Sequence, residues 1–302
     1  MSHFSVAVIS DGTKGVEELL APYQENNCGT CPKKYLKFYN RRDTEKEKYE
    51  TGTIEKVELP DGSRYWTWDD ILYKQVTKEQ YEECKKDKTK YWKSKGYGDK
   101  EKFYVRDLKA LHAKIVVLSF KELYPTIEEY LEDFCGYEYD EEGGDYGYWE
   151  NPNAKWDYYS IGGRWNGILN IKSETNNAYI RDVDLSPDPE IYKKSIRFWE
   201  VAIDGDDLKP GEQENDFNTY YRKEFYIDRY LNKETYAKIQ SSFNTFAVIT
   251  SDGVWHEKGE MGWWGFSSET PEESLDWDLN YKKRFIDTVD PDWTITIVDC
   301  HI

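Results

Sequence analysis

The sequence predicts an α+β fold, with a mixed or antiparallel sheet, flanking helices and a charged, Tyr/Lys-rich insertion. Three observations carry this. Short apolar runs at 4–10, 246–250 and 294–302 read as buried strands. Longer stretches between them read as helices. Strands and helices are interspersed without a βαβ rhythm, which disfavours a doubly wound parallel sheet.

Taken in order, 4–10 is a strand closed by Asp11-Gly12, and 16–23 is a short helix ending at Pro22. Pro60-Asp61-Gly62 reads as a hairpin turn between strands at 54–59 and 64–68. A helix is expected at 77–86, a strand at 115–120 and a helix at 126–134. Further strands are expected at 167–171 and 199–203, and further helices at 216–230 and 233–241. The strand at 246–250 runs into Ser251-Asp252-Gly253, repeating the strand-then-turn pattern of the first strand. A helix at 271–288 precedes the last strand, 294–302. Residues 41–110 are rich in Lys, Glu and Tyr and poor in aliphatics. They are expected to form an insertion or peripheral subdomain, with 1–40 and 111–302 making the main domain.

Aromatics supply 17% of the chain, with 26 Tyr and 12 Trp, against only 38% hydrophobic residues in all. Rings rather than a Leu/Ile lattice should anchor the core. The net charge of −18 repels nucleic-acid phosphate overall, so direct nucleic-acid binding is not expected. It suits a basic protein partner, and the composition is compatible with a homo-oligomer. No apolar run is long enough to span a membrane, and the first residues lack a leader pattern. Five cysteines do not make a disulfide framework, so a cytoplasmic location is expected.

Two glycine–tryptophan segments stand out. The first is Trp156-Asp157-Tyr158-Tyr159-Ser160-Ile161-Gly162-Gly163-Arg164-Trp165. The second runs from Trp255-His256 to Gly259-Glu260-Met261-Gly262-Trp263-Trp264-Gly265. Glycine permits positive φ and close backbone approach, and tryptophan fills the space beside it. Gly162, Gly163, Trp165, Trp255, Trp263 and Trp264 are therefore ligand-binding candidates. Strand alternation puts Asp299 and His301 on one face of the last strand and Cys300 on the other. Arg164, His256, Glu260, Asp299 and His301 are the catalytic candidates, an anion clamp beside acid–base groups. Arg164 is expected to be partly buried against tryptophan faces, with Asp299 or Asp157 as its counter-ion.

Cys28 and Cys31 form a CxxC without a second pair, so they read either as a metal or redox pair or as two reduced thiols in a loop. No cofactor motif is present, and neither cofactor nor metal is expected. Glu138, Asp140, Glu141, Glu142 and Asp145, interleaved with tyrosines, are candidates for meeting a basic partner.

The order of motifs resembles an uncharacterised protein family of bacteriophage and prophage genomes. The resemblance rests on the first segment, on Gly259-Glu260-Met261-Gly262-Trp263-Trp264-Gly265 and on Ile297-Val298-Asp299-Cys300-His301-Ile302, supported by Phe4-Ser5-Val6-Ala7-Val8-Ile9 and Leu20-Ala21-Pro22-Tyr23. Residues 41 to 110 depart from that pattern. The resemblance implies a phage accessory protein in the host cytoplasm and imports no reaction. The leading expectation is a protein that binds and interferes with a host anti-phage defence protein through an acidic, DNA-mimic-like surface. The alternative is an enzyme or binding protein for a small phosphorylated molecule or nucleotide at the Trp/Arg/His/Asp site.

Overall fold

The computed structural model describes residues 2–87, 90–96, 98–169, 176–262 and 265–302. The chain divides into two units, Met1–Lys37 with Glu150–Ile302, and Phe38–Trp149.

The first unit is α+β and is built on a six-stranded mixed sheet. Its strands follow the order Tyr158–Ile161, Thr294–His301, His3–Ser10, Ala247–Ile249, Trp255–Glu257, and Asn177–Tyr179 also pairs with Thr294–His301. The first and last strands run antiparallel over their full length, with His3 opposite His301 and Ser10 opposite Thr294. His3–Ser10 and Ala247–Ile249 run parallel. The three apolar runs thus share one sheet, as their composition requires.

Both sheet faces are covered, which explains why these strands read as continuous apolar runs rather than alternating ones. Ala7, Ile9, Ile295 and Ile297 face a core that includes Trp277, Tyr281 and Phe285 of the helix Pro271–Phe285. That helix starts on a Thr270/Glu273 capping box with Pro271 in its first turn, and ends on Lys282, Lys283 and Arg284. Trp277, Tyr281 and Phe285 fall four apart and make one buried stripe. Their polar tips are satisfied: Trp277 Nε1 donates to Thr245 O at 2.9 Å, and Tyr281 Oη lies 2.6 Å from Thr245 Oγ1. On the opposite face Phe4, Val6, Val8, Val298 and Cys300 pack with Leu19, Leu20 and Trp156.

Three expected elements differ. Residues 199–203 are not a strand but the end of the helix Pro189–Trp199 and its π-helical extension Glu200–Asp204, stopped by Gly205 at φ +87°. Asp188 caps that helix, and its buried Ser195, Trp199 and Ile203 fall at four-residue spacing. The apolar run was the tail of a helical stripe. The expected helix at 216–230 is a 3₁₀ turn, Glu214–Phe217, followed by a helix only from Lys223–Tyr230. Residues 167–169 are a turn, and 170 and 171 lie outside the described residues.

The second unit ends at Trp149 rather than at residue 110. The reason is pairing: Lys114–Ser119 hydrogen-bonds along the whole of Thr53–Glu58, so the strand expected at 115–120 belongs here. The hairpin of Thr53–Glu58 and Arg64–Trp66 forms as expected. A core of four rings, Tyr49, Phe120, Tyr130 and Tyr146, with Leu131 lies in this unit. None of its described strands joins the six-stranded sheet.

Candidate active site

One face of the central strand pair changes character along its length. Ile9, Ala7, Ile297 and Ile295 are fully buried. Two steps further on, strand alternation puts Ser5, His3, Asp299 and His301 on that same face. Polar groups at the end of a buried face need partners, and the structure supplies them locally.

His3 Nδ1 lies 2.8 Å from Asp299 Oδ1, and His301 Nδ1 lies 2.6 Å from Asp157 Oδ1. The two imidazoles meet edge to face, with centroids 5.0 Å apart. Asp299 is 5% exposed, while the side chains of His3 and His301 keep 22% and 13% of their surface in solvent. Each ring thus spends Nδ1 on a carboxylate. Neither Nε2 has a hydrogen bond among the described residues. A carboxylate on Nδ1 fixes tautomer and ring orientation, and leaves the other nitrogen for proton transfer. Asp157 N also donates to His301 O at 3.0 Å, which ties the Trp156-Asp157 corner to the last strand. Glu25 adds negative potential nearby. Burial, and then the charges of Asp157 and Glu150, push its carboxyl above the usual range, and His301 opposes the shift.

The Gly162-Gly163 pair closes the other side. Gly162 and Gly163 have φ of +74° and +49°. A Cβ on Gly163 would sit 2.4 Å from both Cβ and Oδ2 of Asp299. Glycine is thus required by proximity as well as by φ. The turn presents Arg164 N to Asp299 Oδ2 at 3.0 Å, the second partner of that buried carboxylate.

The expected site residues are not all gathered here. Asp299, His301, Gly162 and Gly163 are. Arg164 is present through its main chain, but its side chain is exposed and makes no ion pair or ring contact among the described residues. The expected burial against tryptophans is corrected: Asp299 is already satisfied by His3 and by a main-chain N–H, and needs no guanidinium. Trp165 is half-buried against the Leu169–Trp277 core. Trp255 lies on the other face of the sheet, 5.0 Å from Tyr23 and donating Nε1 to Glu257 at 2.8 Å. It borders a depression of about 420 Å³ that Tyr23, Lys155 and Glu257 also line.

His256 is opposite Val248, which pairs with Ala7, which pairs with Ile297. It shares the face of Asp299 but stands three strands from it, on the order of 14 Å away. Its ring packs 5.3 Å from Phe285. Glu260 is exposed, with its main chain bonded to Ser268. Trp263 and Trp264 lie outside the described residues. The residue that sequence reasoning missed is His3. Its signal was the full-length pairing of the two terminal strands, which only the register reveals.

Among the described residues no group of three or more His, Cys, Asp or Glu could hold a metal ion. Cys28 is exposed and Cys31 buried, both as free thiols. In the acidic stretch, Asp145 pairs with Arg42 at 2.7 Å, and Asp140 accepts from Trp149 Nε1 and Gly143 N. Asp140 thus stabilises its own hairpin and Asp145 ties that hairpin to the helix Arg42–Thr51, while Glu138, Glu141 and Glu142 are exposed. No helix among the described residues is long and apolar enough to cross a membrane. No protein-family model, no curated protein and no solved structure matches the chain.

Proposed function

We propose that the unit formed by residues 1–37 and 150–302 carries an acid–base site for a small phosphorylated molecule, such as a nucleotide. One observation carries the reading: two imidazoles with centroids 5.0 Å apart, each held at Nδ1 by its own carboxylate. With one ring neutral and the other protonated, the pair serves both halves of a displacement. The neutral ring takes a proton at Nε2 from the attacking hydroxyl or water as the new oxygen–phosphorus bond forms. The protonated ring gives its Nε2 proton to the leaving oxygen as the old bond breaks. Asp299 and Asp157 hold the rings by their Nδ1 atoms and leave each Nε2 facing outward from its carboxylate. Arg164, exposed one residue beyond Gly163, offers a bidentate fork for the phosphate.

The test is a panel of nucleotides and phosphodiesters incubated with the purified chain and followed by phosphorus NMR. Turnover by the native chain should fall by a factor of about 100 or more in both His3→Gln and His301→Gln, with the fold intact by circular dichroism. Turnover that survives both substitutions would sink the reading.

A second reading rests on a different observation. The net charge of −18 and the exposed Glu138, Glu141 and Glu142 suit a protein that docks on a basic surface. With the resemblance to phage proteins, this supports a proposal that the chain acts in the host cytoplasm against a defence protein. Replacing those three glutamates by glutamine should then abolish the anti-defence phenotype while His3→Gln leaves it intact. The opposite pattern would favour the acid–base site.

A further inference from the structure

Charge is not spread evenly along the chain. Residues 53–114 hold 15 Lys and Arg against 12 Asp and Glu, whereas the whole chain holds 41 against 59. Within this stretch Lys74–Val76, Lys102–Arg106 and Tyr91–Lys95 form a three-stranded antiparallel sheet. One face packs on the helix Lys78–Cys84, with Tyr81 centred 4.7 Å from Phe103 and 5.6 Å from Trp92.

The other face is different. The register opposes Tyr91 to Arg106, Lys93 to Tyr104 and Lys95 to Lys102. Strand alternation places all six side chains on that one face, and none is a carboxylate. The groups are interleaved as cation and ring. Lys93 Nζ sits 3.7 Å from the centre of Tyr73, and the Arg106 guanidinium sits 4.0 Å from that of Tyr91. Arg106 is 1% exposed, has no acidic partner among the described residues, and its Nε has no hydrogen-bond partner. Beside it Trp68 stacks on Trp66 at 5.1 Å and 3°, and remains 58% exposed. Lys93 ties this stack to the sheet by donating to Trp68 O at 3.1 Å. The anion that meets these lysines is Asp70, 2.6 Å from Lys93 and 2.7 Å from Lys95, and their hydrogen bonds hold its carboxyl at about 2.

We infer that this face of the second unit binds single-stranded nucleic acid, with bases stacking on Trp68 and Tyr91 and phosphates taking the place of Asp70 on Lys93 and Lys95. Two exposed rings, Tyr91 on the sheet and Trp68 beside it, next to the lysines of this face suit unpaired bases, whose faces are open to stacking and whose backbone carries the charge. The whole-chain charge, which argued against nucleic acid, is concentrated elsewhere in the sequence. The inference is independent of the histidine site.

Fluorescence anisotropy of a labelled oligothymidylate about 12 nucleotides long, titrated with the full chain at about 50 mM salt, reads this directly. Binding should weaken steadily as salt is raised. Trp68→Ala should weaken it about tenfold, and Trp68→Phe should restore most of the loss. Lys95→Glu should weaken it further, and Asp70→Asn should tighten it by freeing two lysines. Trp68, Lys95 and Asp70 are all more than half exposed, so these variants should keep the native circular dichroism. Absence of binding by the native chain at low salt would overturn the inference. So would binding that Trp68→Ala leaves unchanged and that polyglutamate displaces as well as oligothymidylate does, because that is the behaviour of a surface for acidic polypeptides.

Discussion

The ring of His3 stands edge-on to that of His301, 5.0 Å away, although the two are at opposite ends of the chain. Each leans on a different carboxylate, so removing one carboxylate should disturb one ring and spare the other. Asp299→Asn keeps the shape of the side chain but not its charge. It should lower turnover by about 100-fold or more, with a smaller effect on folding. Turnover that Asp299→Asn leaves unchanged would mean that His3 takes no part in proton transfer.

Gly163 is predicted to be among the least replaceable positions in the first unit. Alanine there would put a methyl 2.4 Å from the Cβ of Asp299, at a φ of +49°. The expected cost is about 1–3 kcal/mol in urea unfolding, with loss of the site. Gly12→Ala is the control: its φ is +88°, but nothing lies within 4 Å of the added carbon. It should cost no more than about 1–2 kcal/mol. Equal effects at both positions would show that backbone strain, not the approach to Asp299, decides.

Arg164→Ala should leave the melting temperature almost unchanged, because the side chain is exposed and has no partner among the described residues. Its effect belongs to binding. If the fork holds phosphate, KM rises while kcat changes little, and Arg164→Lys recovers only part of the loss. A large drop in melting temperature would show instead that the guanidinium supports the fold.

A buried ion pair gives the fourth prediction. Lys258 Nζ lies 2.8 and 2.7 Å from the two oxygens of Asp278, which is 9% exposed. Lys258→Met strands that carboxylate, at a cost of about 3–5 kcal/mol. Burial already raises the Asp278 carboxyl above its ordinary value, with Lys258 opposing the shift. The folded state therefore holds this proton more tightly than the unfolded chain does. Stability from this group is fully present below the unfolded aspartate value and falls as pH rises through the raised folded value. Without Lys258 that fall should become steeper and extend to higher pH, as urea melts at a series of pH values would record. Adding Asp278→Asn should flatten the curve again.

The sheet was legible because its strands are buried on both faces, and such runs announce themselves: 4–10, 246–250 and 294–302 all landed as strands of one sheet. The run at 199–203 failed because a short, mostly apolar stretch looks alike at the end of a helix and in a strand, and only the Asp188-Pro189 start upstream distinguishes them. The site was half legible. Asp299 and His301 share a face by alternation alone, and the glycine pair marked the close approach. His3 was invisible because its role depends on which strand pairs with which, and on register. Arg164 misled because an arginine between Gly163 and Trp165 suggests burial, whereas here its main-chain N–H makes the structural contact.

The pairing of the terminal strands also governs when the site can come into being. Residues 38–149 are one continuous stretch that can collapse during synthesis. The strand His3–Ser10 must wait, since the carboxylate that orients His3 is 296 residues further along the chain. Until the ribosome has passed Asp299, the nascent chain carries one of the two histidines and neither pair. A product truncated before Asp299 therefore holds neither of the two imidazole–carboxylate pairs, and the paired arrangement forms only once that strand has been made and docked.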